Sequence, residues 1–356
     1  MKLLIVTQKV DENDGVLGFM HGWIREFSLS CEKVSVICLE KGEYHLPENV
    51  KVLSLGKERI TDERGLRHGW TRIKYSWNLL RYIVRIRKDY DSVFVHMNEE
   101  YVLLGGIIWK ILGKMVYMWR NHYSGSWKTR LAGFMCDKVF CTSKSSYTAK
   151  FKNAVLMPVG VDTELFKPVA DIKREPRSII FYGRMSQSKR PDILLKALAE
   201  LVRKGIGFIA KLFGNPPERE QKFYEDLKKS ALDFGLSSRV GFLRSVPHID
   251  GSKIFSAHEI FVNLSPAGMY DKTLFEASGC GCLVLSTSPD FAELVKDNRF
   301  FVTDLNPEAV AQKLEKILNF PESEKGELSK KFQQIALAQS LQNLSQKLFK
   351  EISGGL

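Results

Sequence analysis

Short apolar runs rich in β-branched residues recur at 2–7 (Lys-Leu-Leu-Ile-Val-Thr), 34–39 (Val-Ser-Val-Ile-Cys-Leu), 51–54, 92–95 (Ser-Val-Phe-Val), 115–118 and 138–141. Between them, residues 17–29, 71–88 and 101–112 carry apolar side chains at helical spacing. Alternation of this kind predicts βαβ units on a parallel sheet. The pattern breaks near Pro158-Val-Gly-Val-Asp162, and 167–176 reads as a polar linker. A second series follows, with strands at 178–182, 208–213, 240–243, 260–264 and 283–286 and helices at 191–204, 218–234, 250–256 and 272–278. Helices near 306–319 and 324–351 close the chain. The expectation is an α/β protein with two Rossmann-like, doubly wound parallel-sheet domains facing a cleft. Their bounds are 1–165 and 166–335, and a helix in 336–356 packs back towards the first domain.

The length of 356 residues suits two cores better than one. None of the six cysteines forms a C-x-x-C pair and most lie in or beside apolar strands, which predicts buried free thiols in a reducing compartment. The apolar run at the start is too short for a signal peptide and reads as a strand. The longest uncharged apolar stretch, 102–109, is far below the roughly 20 residues a span needs. A cytoplasmic protein, soluble or peripheral, is expected. The net charge of +12 is concentrated between Arg64 and Lys152, where 17 Lys or Arg face 5 Asp or Glu. Such a patch suits an anionic partner: phospholipid, lipid-linked phosphate or nucleic acid.

Segment 71–88 places Lys74, Arg81, Arg85 and Lys88 on one helical stripe. Ile73, Trp77, Leu80 and Val84 form a parallel apolar stripe expected to pack on the sheet, with Tyr75, Tyr82 and Ile86 on the other flank. The basic stripe fits either a solvated helix face or an anionic membrane surface.

Candidate chemistry lies where predicted strands end. Arg184 and Lys189 occupy a loop between a buried strand and a helix opened by Pro191. They can converge on one diphosphate or stand as two solvated charges. A strand ending near Ser265 turns into a short helix carrying Glu276. The helix start at Asp271, Lys272 and Thr273 would offer N–H groups to a phosphate. Asp271 serves equally as a helix cap, and Lys272 either adds charge to the diphosphate or faces water. Glu276 is placed to accept from ribose hydroxyls. In the first half, the loop 11–18, ending in Gly18, lets backbone approach a bound group. His96 and His122 each stand at a strand end, as site residues or as structural histidines. No ligand spacing for a metal site appears, and no cofactor is expected.

These motifs resemble the retaining, nucleotide-sugar-dependent glycosyltransferases of family four, which have the GT-B fold ("group 1" glycosyltransferases). Pro158-Val-Gly-Val-Asp-Thr-Glu-Leu-Phe-Lys-Pro168 is similar to the family's hinge segment. Phe181 to Lys189 resembles its donor loop, which implies Arg184 and Lys189 as diphosphate ligands. Phe275-Glu-Ala-Ser-Gly-Cys-Gly281 resembles its E-A-x-A-x-G segment, which implies Glu276 as the ribose ligand. His96 matches the strand-end histidine near the donor sugar, and Leu17-Gly18 stands where many members have Gly-Gly. The family's first glutamate, eight residues before Glu276, is Gly268 here, and Met269-Tyr270-Asp271 replaces Gly-Phe-Gly.

The resemblance implies a metal-independent transferase. It would move a sugar from a nucleotide diphosphate to a glycan or lipid-linked acceptor on the first domain, in cell-surface polysaccharide or glycolipid assembly. An anionic membrane surface is a possible partner, and nucleic acid is not expected. The alternatives are a catalytically altered nucleotide-sugar-binding protein, suggested by Gly268, and a sugar-nucleotide epimerase on the same fold.

Overall fold

The computed structural model describes residues 1–59, 68–268 and 271–354. The chain divides into two compact units, Met1–Gly160 with Leu341–Leu356, and Val161–Ser340.

The first unit runs β1 (Lys2–Val10), α1 (Phe19–Leu29), β2 (Lys33–Lys41), β3 (Val50–Ser54), α2 (His68–Arg85), β4 (Ser92–His96), α3 (Glu99–Ile111), β5 (Met115–Trp119), α4 (Trp127–Met135), β6 (Lys138–Cys141) and β7 (Ala154–Leu156). Its sheet has the order β3-β2-β1-β4-β5-β6-β7, with every pairing parallel. Central strands such as β4 are buried along their whole length, as a parallel sheet covered on both faces requires.

On one face of this sheet Trp23 and Phe27 of α1 pack with Phe94 and Phe140. Leu344, Leu348 and Ile352, from the helix Leu341–Ser353, join the same core. Lys138 Nζ donates to Glu351 at 2.8 Å, and Trp23 Nε1 donates to the Gly160 carbonyl at 2.9 Å.

The opposite face is covered by α2, α3 and α4 through Leu79 and Ile83, Val102 and Trp109, and Ala132. Here the expected orientation of α2 is reversed. Ile73, Trp77 and Val84 are exposed, while Leu79, Ile83 and Ile86 are buried and Tyr75 and Tyr82 pack against the core. The reason is polar as well as apolar. Tyr82 Oη reaches the Ser54 carbonyl at 3.3 Å and Asn78 Nδ2 the Leu55 carbonyl at 3.0 Å, so the inward face satisfies the edge of the sheet.

The second unit runs β8 (Glu175–Tyr182), α5 (Pro191–Arg203), β9 (Ile209–Phe213), α6 (Gln221–Asp233), β10 (Val240–Leu243), α7 (Gly251–Ser256), β11 (His258–Asn263), α8 (Thr273–Gly279), β12 (Leu283–Ser286), α9 (Pro289–Val295), α10 (Pro307–Leu318) and α11 (Glu322–Ala338). The single closing helix expected over 324–351 is thus two, α11 and α12 (Leu341–Ser353), separated at Gln339–Ser340. The sheet order is β10-β9-β8-β11-β12, again all parallel. Glu259, buried in β11, is neutralised by Lys325 Nζ at 3.2 Å and accepts from the Arg177 N–H at 2.9 Å. All six cysteines are free and buried, in line with the sequence expectation.

At the carboxyl ends of β8 and β9 two glycines meet. Gly183 and Gly214 both take φ +155°, and a Cβ on Gly214 would lie 1.8 Å from the Gly183 carbonyl oxygen. Both sterics and dihedral therefore demand glycine. Gly214→Ala is expected to destabilise the second unit by about 3 kcal/mol. Denaturant unfolding measures this, and a variant as stable as the parent would refute the contact.

Candidate active site

A parallel sheet built outward from its middle has one place where successive crossovers leave in opposite directions. There the strand-end loops part and leave room for a ligand. In the second sheet that place lies between β8 and β11. The loop after β8 carries Arg184 and Lys189, and the loop after β11 leads through Ser265 to Asp271 and α8.

The two loops are tied across the reversal. Lys189 Nζ donates to Asp271 Oδ2 at 2.5 Å and to Ser265 Oγ at 3.1 Å. The same carboxylate oxygen accepts from Ser265 Oγ at 2.6 Å and from Asn263 Nδ2 at 2.9 Å. Burial pushes the Asp271 carboxyl up, but the Lys189 charge and these hydrogen bonds outweigh it and hold the group below the ordinary carboxylate range. Capping is therefore not what this carboxylate does. Lys272 stands at the N-cap of α8, without a side-chain cap, and Asp271 answers Lys189 instead. Arg190 takes a left-handed φ of 55° and Pro191 opens α5, which ends the Lys189 loop abruptly. Arg184, on the same loop, is exposed.

Glu276 is buried in α8, with Oε1 2.9 Å from His248 Nε2. The His248 ring leans on Phe166, ring centres 4.9 Å apart. Burial pushes the Lys272 ammonium down to about 7, although the carboxylates of Glu276 and Asp162 act to raise it. The Tyr182 hydroxyl is shifted up, first by burial and then by the Glu276 and Asp250 charges. Thr273 opens α8 and is half-buried. Gly268 is buried with φ +80°, so a side chain there would need a left-handed backbone. Met269 and Tyr270 lie outside the described residues.

The first sheet reverses between β1 and β4. His96 ends β4, buried, with Nδ1 3.3 Å from Thr7 Oγ1 on β1 and its ring edge-on to Phe19 and Trp23. Met97 follows with φ 66°, a costly conformation for a side-chain-bearing residue. Gly18 sits before α1 at φ −55°, an ordinary helical value. The loop ahead of it is held by Asp14, whose Oδ1 accepts from the N–H groups of Val16 and Leu17 at 2.8 and 2.7 Å. His122 follows β5, away from the reversal, and shares hydrogen bonds with Ser124.

The structure thus joins Lys189, Asp271 and Ser265 in one network, and Glu276 with Lys272 in another, through the short stretch 271–276. Two members had no motif to mark them. His248 comes from the loop after β10 and Asn263 is the last residue of β11. Asn263 is signalled only by its position at the end of a strand, and His248 only by lying in the loop after one.

Residues 162–337 match the family model described as Glycosyl transferases group 1. D-inositol 3-phosphate glycosyltransferase 1 of Catenulispora acidiphila is 28% identical over 141 residues, 36% of this chain and 34% of that protein. The D-inositol 3-phosphate glycosyltransferase of Mycobacterium ulcerans is 28% identical over 137 residues, 36% of this chain and 29% of its own. The matched stretch thus spans about a third of the length of these curated relatives. Among solved structures, Anabaena HepE in complex with UDP and glucose superposes with a TM-score of 0.77 at 18% identity, covering 99% of each chain. Sucrose-phosphate synthase of Thermosynechococcus elongatus gives 0.80 at 15% identity, covering all of both chains. These likenesses establish the GT-B fold over the whole chain. Within that fold, residues 162–337, almost the length of the second unit, match the group 1 glycosyl transferases.

Proposed function

We propose that the protein transfers a sugar from a nucleotide diphosphate donor to an acceptor hydroxyl, with retention at the anomeric carbon as in family four. The observation that carries this reading is the pair of networks at the β8/β11 reversal, with Lys189 and Asp271 on one side and Glu276 and His248 on the other. The departing diphosphate bears negative charge. Arg184, Lys189 and Lys272 supply cations for it, with the backbone at Asp271 and Thr273 beside them. Positive charge then comes from side chains and no metal ion is invoked. Glu276 accepts from the ribose, His248 orients its carboxylate, and His96 positions the donor sugar. That a neighbour of the same fold was crystallised with UDP and glucose supports a nucleotide-sugar donor.

The acceptor is a glycan or a lipid-linked saccharide carried by the basic first unit, on the cytoplasmic side, in cell-surface polysaccharide or glycolipid assembly. No helix among the described residues is long and apolar enough to cross a membrane. A second reading, nucleotide-sugar binding without transfer, is favoured by Gly268. Its φ of +80° leaves no natural seat for the family's first glutamate, and the neighbouring Asp271 carboxylate is engaged with Lys189.

A melting screen against UDP, GDP, ADP and their sugar conjugates tests the donor site. One base series at 100 times its dissociation constant should stabilise the parent by about 2.7 kcal/mol. Arg184→Ala and Glu276→Ala should lose that gain. No stabilisation by any nucleotide would end the donor assignment, whereas binding without transfer to any acceptor would select the second reading.

Lys272 makes donor affinity depend on pH. Burial pushes its ammonium down to about 7, and a bound diphosphate favours the charged form, so binding takes up a proton. The affinity for a sugar conjugate, whose phosphates do not titrate near neutrality, should fall roughly tenfold between pH 7 and 8.5. Lys272→Gln should flatten the profile; calorimetry across that range reads both.

A further inference from the structure

The helices over one face of the first sheet carry exposed apolar side chains on the side turned away from that sheet. Helices α2, α3 and α4 lie side by side over one sheet face and bury Leu79, Val102 and Ala132 beneath them. Their opposite faces are apolar as well. Phe134 of α4 is 88% exposed, Ile111 of α3 79% and Trp77 of α2 68%. Each belongs to a stripe at helical spacing: Ile73 with Trp77 and Val84, Ile107 with Ile111, and Trp127 with Phe134. Exposed apolar side chains scattered singly need no account, but three adjacent stripes on one face do.

The charge beside these stripes identifies what covers them. Along α2 and the turn after it, Lys74, Arg81, Arg85 and Lys88 are all exposed, one position round the helix from the apolar stripe. No acidic residue occurs between 71 and 88. Lys128 and Arg130 stand exposed between the apolar positions of α4. We propose that this three-helix face docks on an anionic lipid bilayer, the aromatic and aliphatic stripes entering the headgroup boundary and the cations meeting lipid phosphates. A second copy of the chain is the poorer occupant, because self-association would bring these cationic stripes towards each other. With no spanning helix among the described residues, the contact is one of surface adsorption. The proposal extends the acceptor half of the proposed function and rests on it only for the acceptor's identity, since adsorption requires neither donor nor turnover.

Flotation of the full chain tests it, with vesicles of phosphatidylcholine alone or mixed with phosphatidylglycerol. The parent should float with the mixed vesicles, less so with neutral ones, and lose binding as salt is raised. Trp77→Ser with Phe134→Ser, and separately Lys74→Glu with Arg81→Glu, should each weaken adsorption by roughly tenfold or more. Melting temperatures should be unchanged, because these side chains are exposed. Arg184→Ala should float like the parent, which separates failure of docking from failure of the donor site. The proposal is overturned if the parent ignores the mixed vesicles or if the serine pair binds as well as the parent. It is equally overturned if sedimentation shows a dimer that the serine pair dissociates, since the face would then be a self-interface.

Discussion

Parallel pairing is the constraint from which the rest of this molecule follows. Every strand of both sheets runs the same way, so the chain must cross over between strands, mostly through helices, and all carboxyl ends gather on one edge. Where the winding direction changes, two loops leave neighbouring strands in opposite senses and their polar ends are left facing each other. In the second unit this junction is closed by a half-buried ion pair, Lys189 with Asp271, reinforced by Ser265 and Asn263. In the first, a histidine and a threonine on adjacent strands share a hydrogen bond. The two junctions differ in character: one is held by an ion pair, the other is packed among aromatic rings.

Much of this was legible from residue order because the signals are local. A buried apolar strand, a turn with glycine and a helix opened by proline are each set by a few neighbouring residues, and β8, the Lys189 loop and α5 follow directly. Helix α2 shows where that logic stops. Its sequence carries two apolar stripes, and helical periodicity alone cannot rank them. The sheet takes the one that offers a tyrosine hydroxyl and an asparagine amide to the carbonyls of Ser54 and Leu55. That preference depends on partners more than 20 residues away.

The placement of the candidate site residues was legible to a similar depth. Position at a strand end pointed to Arg184, Lys189, Glu276 and His96, but not to who would hold them. The partner of Glu276, His248, comes from a loop with no motif. Asp271 could be read as a cap because aspartate is common there; only the fold brings Lys189 within reach. Gly268 is legible as a departure from the family pattern, whereas its left-handed backbone is a property of the loop's path.

The helix Leu341–Ser353 carries a consequence for biosynthesis. Its leucines complete the core around Trp23 and Phe27, on strands and a helix translated some 300 residues earlier. Residues 161–340 form a separate unit whose contacts are all present before that helix emerges from the ribosome. The second domain can therefore mature first, while the earlier-made one waits with one sheet face covered only in part, by the helix Phe19–Leu29. Contact between residues so distant in sequence slows closure of that core, and its apolar side chains stay open to water until the last helix arrives.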